Sequence, residues 1–163
     1  MFCARPHPVT PEALTAYLYA ELPLAAALGL QVIAVDTNHV RMRAPFHLNR
    51  NGHGTAFGGS LATLGILGGW ALAHARLIHD GMDQGLVIRN SACDYLAPIA
   101  ADIVVDASLD ESEWQKARTW LAQHGKARLK ITSHLRAHGA EQAPAAAIHQ
   151  GSYVIVAGQR THY

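Results

Sequence analysis

The chain has little charge and almost no cysteine, and each shortage removes a class of protein. Charged residues make up 15% of its 163 residues, and 13 Lys and Arg stand against 12 Asp and Glu. Binding a polyanion through phosphate contacts needs a concentrated excess of cationic side chains, so this balance argues against a nucleic-acid partner. A hydrophobic share of 50% excludes a disordered tail. Cys3 and Cys93 are the only cysteines, too few for a disulfide scaffold, and they predict a reducing, cytoplasmic setting. The 11 histidines are scattered. Only His134 and His138 share a strand face, with no acidic or cysteine partner nearby, so neither a metal nor any other cofactor is expected.

Long uninterrupted apolar runs are also missing. The apolar stretch 13–35 is broken by Glu21 and Pro23 and preceded only by Arg5, which does not read as a targeting segment. Residues 55–73 carry no charge, but Ser60, Thr63 and the glycines at 58, 59, 65, 68 and 69 dilute them. The run barely reaches the roughly 20 apolar residues a bilayer needs, and it reads as a buried core helix with no membrane partner. There is no internal repeat, low-complexity tract or linker. The expectation is one domain over 1–163, its core at about 22–158 and an N-terminal helical extension over 1–21.

Local signals divide the chain. Thr10-Pro11-Glu12 is a helix start, with a hydroxyl cap, proline at the first position and an acid facing the dipole. Leu14, Tyr17 and Leu18 give that helix an apolar face, Pro23 ends it, and Gly29 stops a short turn over 24–28. Strands are expected at 30–35 and 40–44 around Asp36-Thr37-Asn38-His39, with Pro45 closing the second. A polar loop over 46–56 leads into a helix over 57–78, apolar nearly all round and so wrapped by other structure. Within it Gly65 and Gly69 allow a close approach. Strands at 86–96 and 103–109 are expected to pair with each other. A helix over 111–123 shows Trp114, Ala117 and Leu121 on one face, with Gly125 as its cap. Strands at 127–135 and 145–157 follow, joined through Gly139-Ala140-Glu141. The sum is an α+β fold of about six mostly antiparallel strands around one long helix, whose exposed sheet edges predict dimerisation by sheet extension.

The residues that could carry chemistry cluster before that helix. Gly58-Gly59 at a helix start presents unpaired amides and the positive dipole end, suited to a carbonyl oxygen gaining negative charge, or simply lets the loop turn and the helix pack. Asn49, Asn51, His53, Thr55 and Ser60 surround it. They can polarise a carbonyl or position water, with His53 a candidate base; the alternative is local capping. Asp94, in an apolar strand, must be paired, solvated or functional with a raised pKa, or lie on a solvated or interfacial face. Cys93 is poorly placed to form a thiolate.

The stretch Asn51-Gly52-His53-Gly54-Thr55-Ala56-Phe57-Gly58-Gly59-Ser60-Leu61, with Leu67-Gly68-Gly69-Trp70 downstream and Asp94-Tyr95-Leu96-Ala97-Pro98 followed by Asp102, resembles hotdog-fold thioesterases. In particular it is similar to the thioesterase domain at the C-terminus of YiiD-type proteins, over about residues 22–156. Compared with the wider phenylacetyl-CoA and 4-hydroxybenzoyl-CoA thioesterases, Asn51, Gly54, Gly58 and Gly59 match, and Phe57 stands where those have histidine. The resemblance implies hydrolysis of acyl-CoA or acyl carrier protein thioesters by a homodimer or dimer of dimers, with the site at the dimer interface. It implies that the Gly59 and Ser60 amides hold the carbonyl. Asn51, His53 and Asp94 complete the candidate catalytic group, and Asn49, Thr55, Phe57, Gly58, Thr63 and Tyr95 contact substrate. Many relatives place a carboxylate on the helix two turns in, where this chain has Leu64-Gly65-Ile66-Leu67. That departure leaves a non-catalytic acyl-binding module as the rival. A dehydratase-like enzyme on a carrier-bound chain is a third reading, with Arg41, Arg43 and Arg89 as candidate carrier contacts.

Overall fold

The computed structural model describes residues 9–158; Cys3 and Arg5 lie outside them. The order of elements is α1 (Pro11–Glu21), α2 (Pro23–Ala27), β1 (Gln31–Val35), β2 (His39–Ala44), α3 (Phe46–Asn49), α4 (Gly58–His79), β3 (Gln84–Tyr95), β4 (Ile103–Ser108), α5 (Glu111–His124), β5 (Lys126–Ala137) and β6 (Ala147–Ala157). The strands form one six-stranded sheet in the order β1-β2-β4-β5-β6-β3, with every neighbouring pair antiparallel. This is the hotdog arrangement, an α+β fold with a sheet curled around one long helix. The loop expected over 46–56 contains one difference, the single helical turn α3.

The expected pairing of the third and fourth strands does not form. β3 lies at the sheet edge against β6, from Gln84↔Ala157 to Tyr95↔Ala147, while β4 sits between β2 and β5. The reason is the connection over 96–102, which crosses the end of the sheet instead of turning back. The Leu96 and Ala97 amides both donate to the Ala146 carbonyl, and Ile99 accepts the Ala56 amide at 2.7 Å. The chain is thereby pinned beneath the start of α4 before it enters the middle of the sheet.

α4 is long and apolar enough to cross a membrane by length and composition, yet 67% of its most apolar window is buried inside the fold. Three glycines set how closely it approaches the sheet. A Cβ on Gly65 would run into His149, one on Gly68 would meet Val105 and Ser133, and one on Gly69 would run into the Tyr153 ring. Two inward hydroxyls then reach helix carbonyls: Ser133 Oγ donates to Gly65 O at 2.9 Å and Tyr153 Oη to Ile66 O at 2.7 Å. Burial pushes the Tyr153 phenol far above its usual range, so it remains a donor. Strand alternation supplies this inner face, because Ala147, His149, Gly151, Tyr153 and Ile155 of β6 are all buried.

The other helices close the open flanks of α4. α1 begins as expected, with Thr10 Oγ1 accepting the Ala13 amide, and it buries Leu14 and Leu18. Its Tyr17 stacks on Trp70 and His74, and Thr15 Oγ1 accepts the Val32 amide at 2.9 Å. α5, capped by Asp110 and ended by Gly125 at φ 71°, buries Trp114 at the far end of α4. There Trp114 Nε1 donates to Asp80, and the buried Arg76 guanidinium pairs with Glu111 at 2.7 Å. That guanidinium holds the Glu111 carboxyl down at about 2.

The close approach generates a prediction. Gly65→Ala places its methyl against the His149 Cβ, an atom fixed by its own backbone. Overpacking costs about 1–3 kcal/mol, which outweighs a gain in helix propensity of up to about 1 kcal/mol. The urea midpoint should fall; an unchanged or raised midpoint would show that α4 can move off β6.

Candidate functional site

The start of α4 is built from beneath by Asn49, which is 1% exposed. Its Nδ2 donates to Leu28 O at 2.9 Å and to Pro45 O at 2.8 Å, while its own backbone carbonyl accepts the Phe57 amide at 2.7 Å. Asn49 thus ties the turn after α2 to the residue that precedes the helix. Asp102 holds the front of the same loop by accepting the Phe46 amide at 2.9 Å. That bond and Arg43 keep its carboxyl below the usual carboxylate range.

The loop between closes on itself. An isolated bridge joins Arg50 to Ala56, and Asn51 Oδ1 accepts the amides of His53 at 2.8 Å and Thr55 at 3.2 Å. Asn51 Nδ2 donates to Thr55 Oγ1 at 2.8 Å, so both side chains are engaged in local hydrogen bonds that shape the loop. His53 stands exposed at the tip, beside Gly54 at φ 80°.

At the helix start itself no side chain among the described residues caps α4; Phe57 is the N-cap and Gly58 the first helical residue. The first-turn amides, including those of Gly59 and Ser60, have no intrahelical acceptor and sit at the positive end of a 22-residue helix. Thr63 Oγ1 donates back to Gly59 O at 2.8 Å, and Tyr95 Oη donates to Gly58 O at 2.9 Å. The Tyr95 ring lies 3.5 Å from where a Gly58 Cβ would stand, and the Phe57 ring covers the corresponding position on Gly59. A pocket of about 380 Å³ opens here, lined by Gly58, Leu61, Tyr95, Leu96 and Pro98 among others. It joins an uncapped helix terminus to an apolar wall, which suits a carbonyl attached to an acyl chain.

The strand residues divide by face. Tyr95 and Cys93 pair with Ala147 and His149, both buried, so they look toward α4; Asp94 pairs with Ile148 and looks the other way. Asp94 is exposed there, and the register keeps it on the opposite side of the sheet from its own helix start. Burial pushes the Cys93 thiol up, which favours the neutral form. Arg41 and Arg43 also lie away from α4, since Val40, Met42 and Ala44 between them are buried. Arg41 donates to Asp106 at 2.7 Å and Arg43 to Asp102 at 2.7 Å, so both are engaged on the outer face. Burial acts to raise the Asp106 carboxyl, but Arg41 and His39 outweigh it and hold it low.

The structure brings one further pair together that the sequence reading did not single out. Ser91 Oγ lies 2.7 Å from His149 Nε2 on the inward side of β3 and β6. His149 is 0% exposed, while Ser91 is exposed. The signal for His149 was available in the alternation 147, 149, 151, 153, 155; that for Ser91 depended on knowing which strand becomes the neighbour of β6.

Comparison with known proteins agrees with this geometry. The family model described as “Putative thioesterase (yiiD_Cterm)” matches residues 11–157. No curated protein matches the chain. Among solved structures, a protein of unknown function from Chlorobaculum tepidum superposes with a TM-score of 0.85 at 22% identity, covering 92% of this chain and 98% of its own. A “putative thioesterase” from Shewanella oneidensis gives 0.74 at 23% identity, covering 90% and 96%. A thioesterase from Haemophilus influenzae gives 0.73 at 14% identity, covering 97% and 98%. These likenesses show a shared fold.

Removing the buried support should be costly. Asn49→Ala leaves the buried Leu28 carbonyl and the half-buried Pro45 carbonyl without that donor, a loss of about 1–3 kcal/mol at the usual cost of one stranded buried group. Thermal or urea unfolding reads it, and a loss under about 1 kcal/mol would mean that water replaces the amide.

Proposed function

We propose that this chain, which belongs to the thioesterase family described as “Putative thioesterase (yiiD_Cterm)”, hydrolyses acyl-CoA or acyl carrier protein thioesters at the start of α4. The observation that carries the reading is the uncapped helix terminus opening on an apolar pocket. A thioester carbonyl placed against the Gly59 and Ser60 amides gains stabilisation as its oxygen becomes negative, and the helix dipole acts in the same direction. Phe57, Thr63 and Tyr95 frame the carbonyl, and the acyl chain runs along Leu61, Leu96 and Pro98. Asn49, Asn51 and Thr55 act through the loop: their hydrogen bonds fix where Phe57 and Gly58 stand.

The working unit is a homodimer joined along β3, in the cytoplasm. β3 is a 12-residue edge strand whose outer ladder is open among the described residues, and Val87, Tyr95 and Leu96 are each at least half exposed. An edge of that length and character is covered in stable proteins.

The rival with support of its own is an acyl-binding module. α4 carries no carboxylate over 64–67, and Asp94 faces away from its own helix start. Both readings use the same pocket, and turnover separates them.

Thiol release is the deciding measurement, from short, medium, long and aromatic acyl-CoAs and one acyl carrier protein thioester. Release above background is expected for at least one chain, and Gly59→Val should lower kcat/KM about 100-fold by keeping the carbonyl off the amides. The fold should survive, because the Cβ meets only the far end of the exposed Phe57 ring. Binding of a non-hydrolysable acyl-CoA without any release would favour the binding module.

A further inference from the structure

The Ser91 and His149 contact has features that neither packing nor strand pairing requires. Ser91 lies opposite Gly151, which has no side chain, and its hydroxyl reaches diagonally across that gap to His149 Nε2 at 2.7 Å. His149 is fully enclosed: its Cβ abuts Gly65 on α4 and its register neighbour on β5 is the buried Ser133. Its Nδ1 is buried without a hydrogen-bond partner among the described residues. The one side-chain hydrogen bond of the ring among the described residues is therefore with the hydroxyl of Ser91, an exposed residue. The pair stands beside Gly65, within the 64–67 segment of α4 that lacks a carboxylate.

We propose that Ser91 and His149 form a nucleophile and base pair that takes the acyl group from the thioester as an acyl-serine. The proposal rests on the thioesterase reading above and supplies the base that reading lacks. Ser91 Oγ forms a bond to the thioester carbonyl carbon as its proton passes to His149 Nε2. The carbon–sulfur bond breaks, and the thiolate leaves with that proton as free thiol. Water then adds to the acyl-serine carbonyl, gives its proton to Nε2, and the Oγ–carbon bond breaks with return of the proton to Ser91. The sum is thioester plus water giving carboxylic acid plus thiol. Burial keeps the resting His149 ring neutral, so Nε2 can be the unprotonated nitrogen that faces Ser91, and Nδ1 has no hydrogen-bond partner among the described residues.

The site needs a second copy of the chain. Ser91 lies four residues from Tyr95, the residue that touches Gly58, and the usual strand rise makes that about 13 Å. One carbonyl cannot touch both the helix-start amides and Ser91 of the same chain. Antiparallel pairing of two β3 edges with the two-fold axis at Cys93, midway between Ser91 and Tyr95, sets Ser91 of one chain opposite Tyr95 of the other and so brings the second helix start to it. Edge pairing uses backbone groups in the sheet plane, so Ser91 keeps its hydroxyl on the helix side.

The test uses the full chain, a fluorophosphonate that alkylphosphorylates activated serines, and octanoyl-CoA. Mass spectrometry should place the phosphonate on Ser91, and Ser91→Ala, an exposed position that leaves the fold standing, should lose the label and about 100-fold in thiol release. No label on Ser91, or undiminished release by Ser91→Ala, overturns the pair and leaves the hydrolase reading intact. A label on Ser91 with no thiol release from any acyl donor supports the activated serine and overturns the thioesterase reading. Mixing Ser91→Ala with Gly59→Val chains after subunit exchange should recover about a quarter of wild-type release, because half the dimers then carry one intact site of two. No recovery from demonstrated mixed dimers overturns completion of the site by the second copy.

Discussion

The fold depends on how near α4 can lie to the middle of its sheet. Gly65, Gly68 and Gly69 strip one side of the helix to backbone, and His149, Ser133 and Tyr153 fill the space with ring and hydroxyl. Ordinary helix-to-sheet contacts are apolar and tolerate sliding. Here two hydroxyls donate to consecutive helix carbonyls, so the register between α4 and the two strands behind it is specified as well as the distance. The same contact places the N-terminus of α4 over the 96–102 crossing, and with it the pocket. A change in the packing of Gly65 is therefore also a change in where the Gly59 and Ser60 amides stand.

Much of this arrangement was legible in the chain. Thr10-Pro11 and Gly125 mark helix ends by local chemistry, and they do so where the structure has them. The uncharged stretch after Phe57 read as a wrapped helix, and Gly65 and Gly69 as points of close approach, because no neighbouring charge offered an exposed face. Strand pairing was less legible. The consecutive strands 86–96 and 103–109 suggested a pairing between β3 and β4, yet Asp102 and Asp106 serve Arg43, Phe46 and Arg41 on other elements. Local turn chemistry cannot distinguish a hairpin from a crossing, since both can contain a proline-bearing bend; the difference lies in Ala146 and Ala56, far away in the chain.

The candidate site shows the same division. Gly58, Gly59, Thr63 and Tyr95 converge at the helix start, three of them within one segment of the chain. Asn49 and Asn51 are close by in sequence for a different reason: one is buried under the loop and the other is its internal brace. Residue type alone does not separate an amide that faces substrate from one that holds backbone, because both need the same donors and acceptors. Asp94 was set apart by its apolar neighbours, but those neighbours alternate faces, and a carboxylate between two inward side chains points outward.

The chain also solves an electrostatic problem by keeping charge off the inner face. Arg41 and Arg43 pair with Asp106 and Asp102 outside the sheet, and Arg76 with Glu111 and Asp80 at the far end of α4. What remains beside the helix on the β3 side is neutral: a serine, a thiol held protonated, a tyrosine and a histidine stripped of water. A buried carboxylate on α4 would need its own partner and would occupy the groove that Gly65 leaves for His149. Glycine at that position and histidine on the facing strand are thus two halves of one close contact. The consequence is an inner surface whose buried imidazole has one side-chain hydrogen bond among the described residues, to the Ser91 hydroxyl.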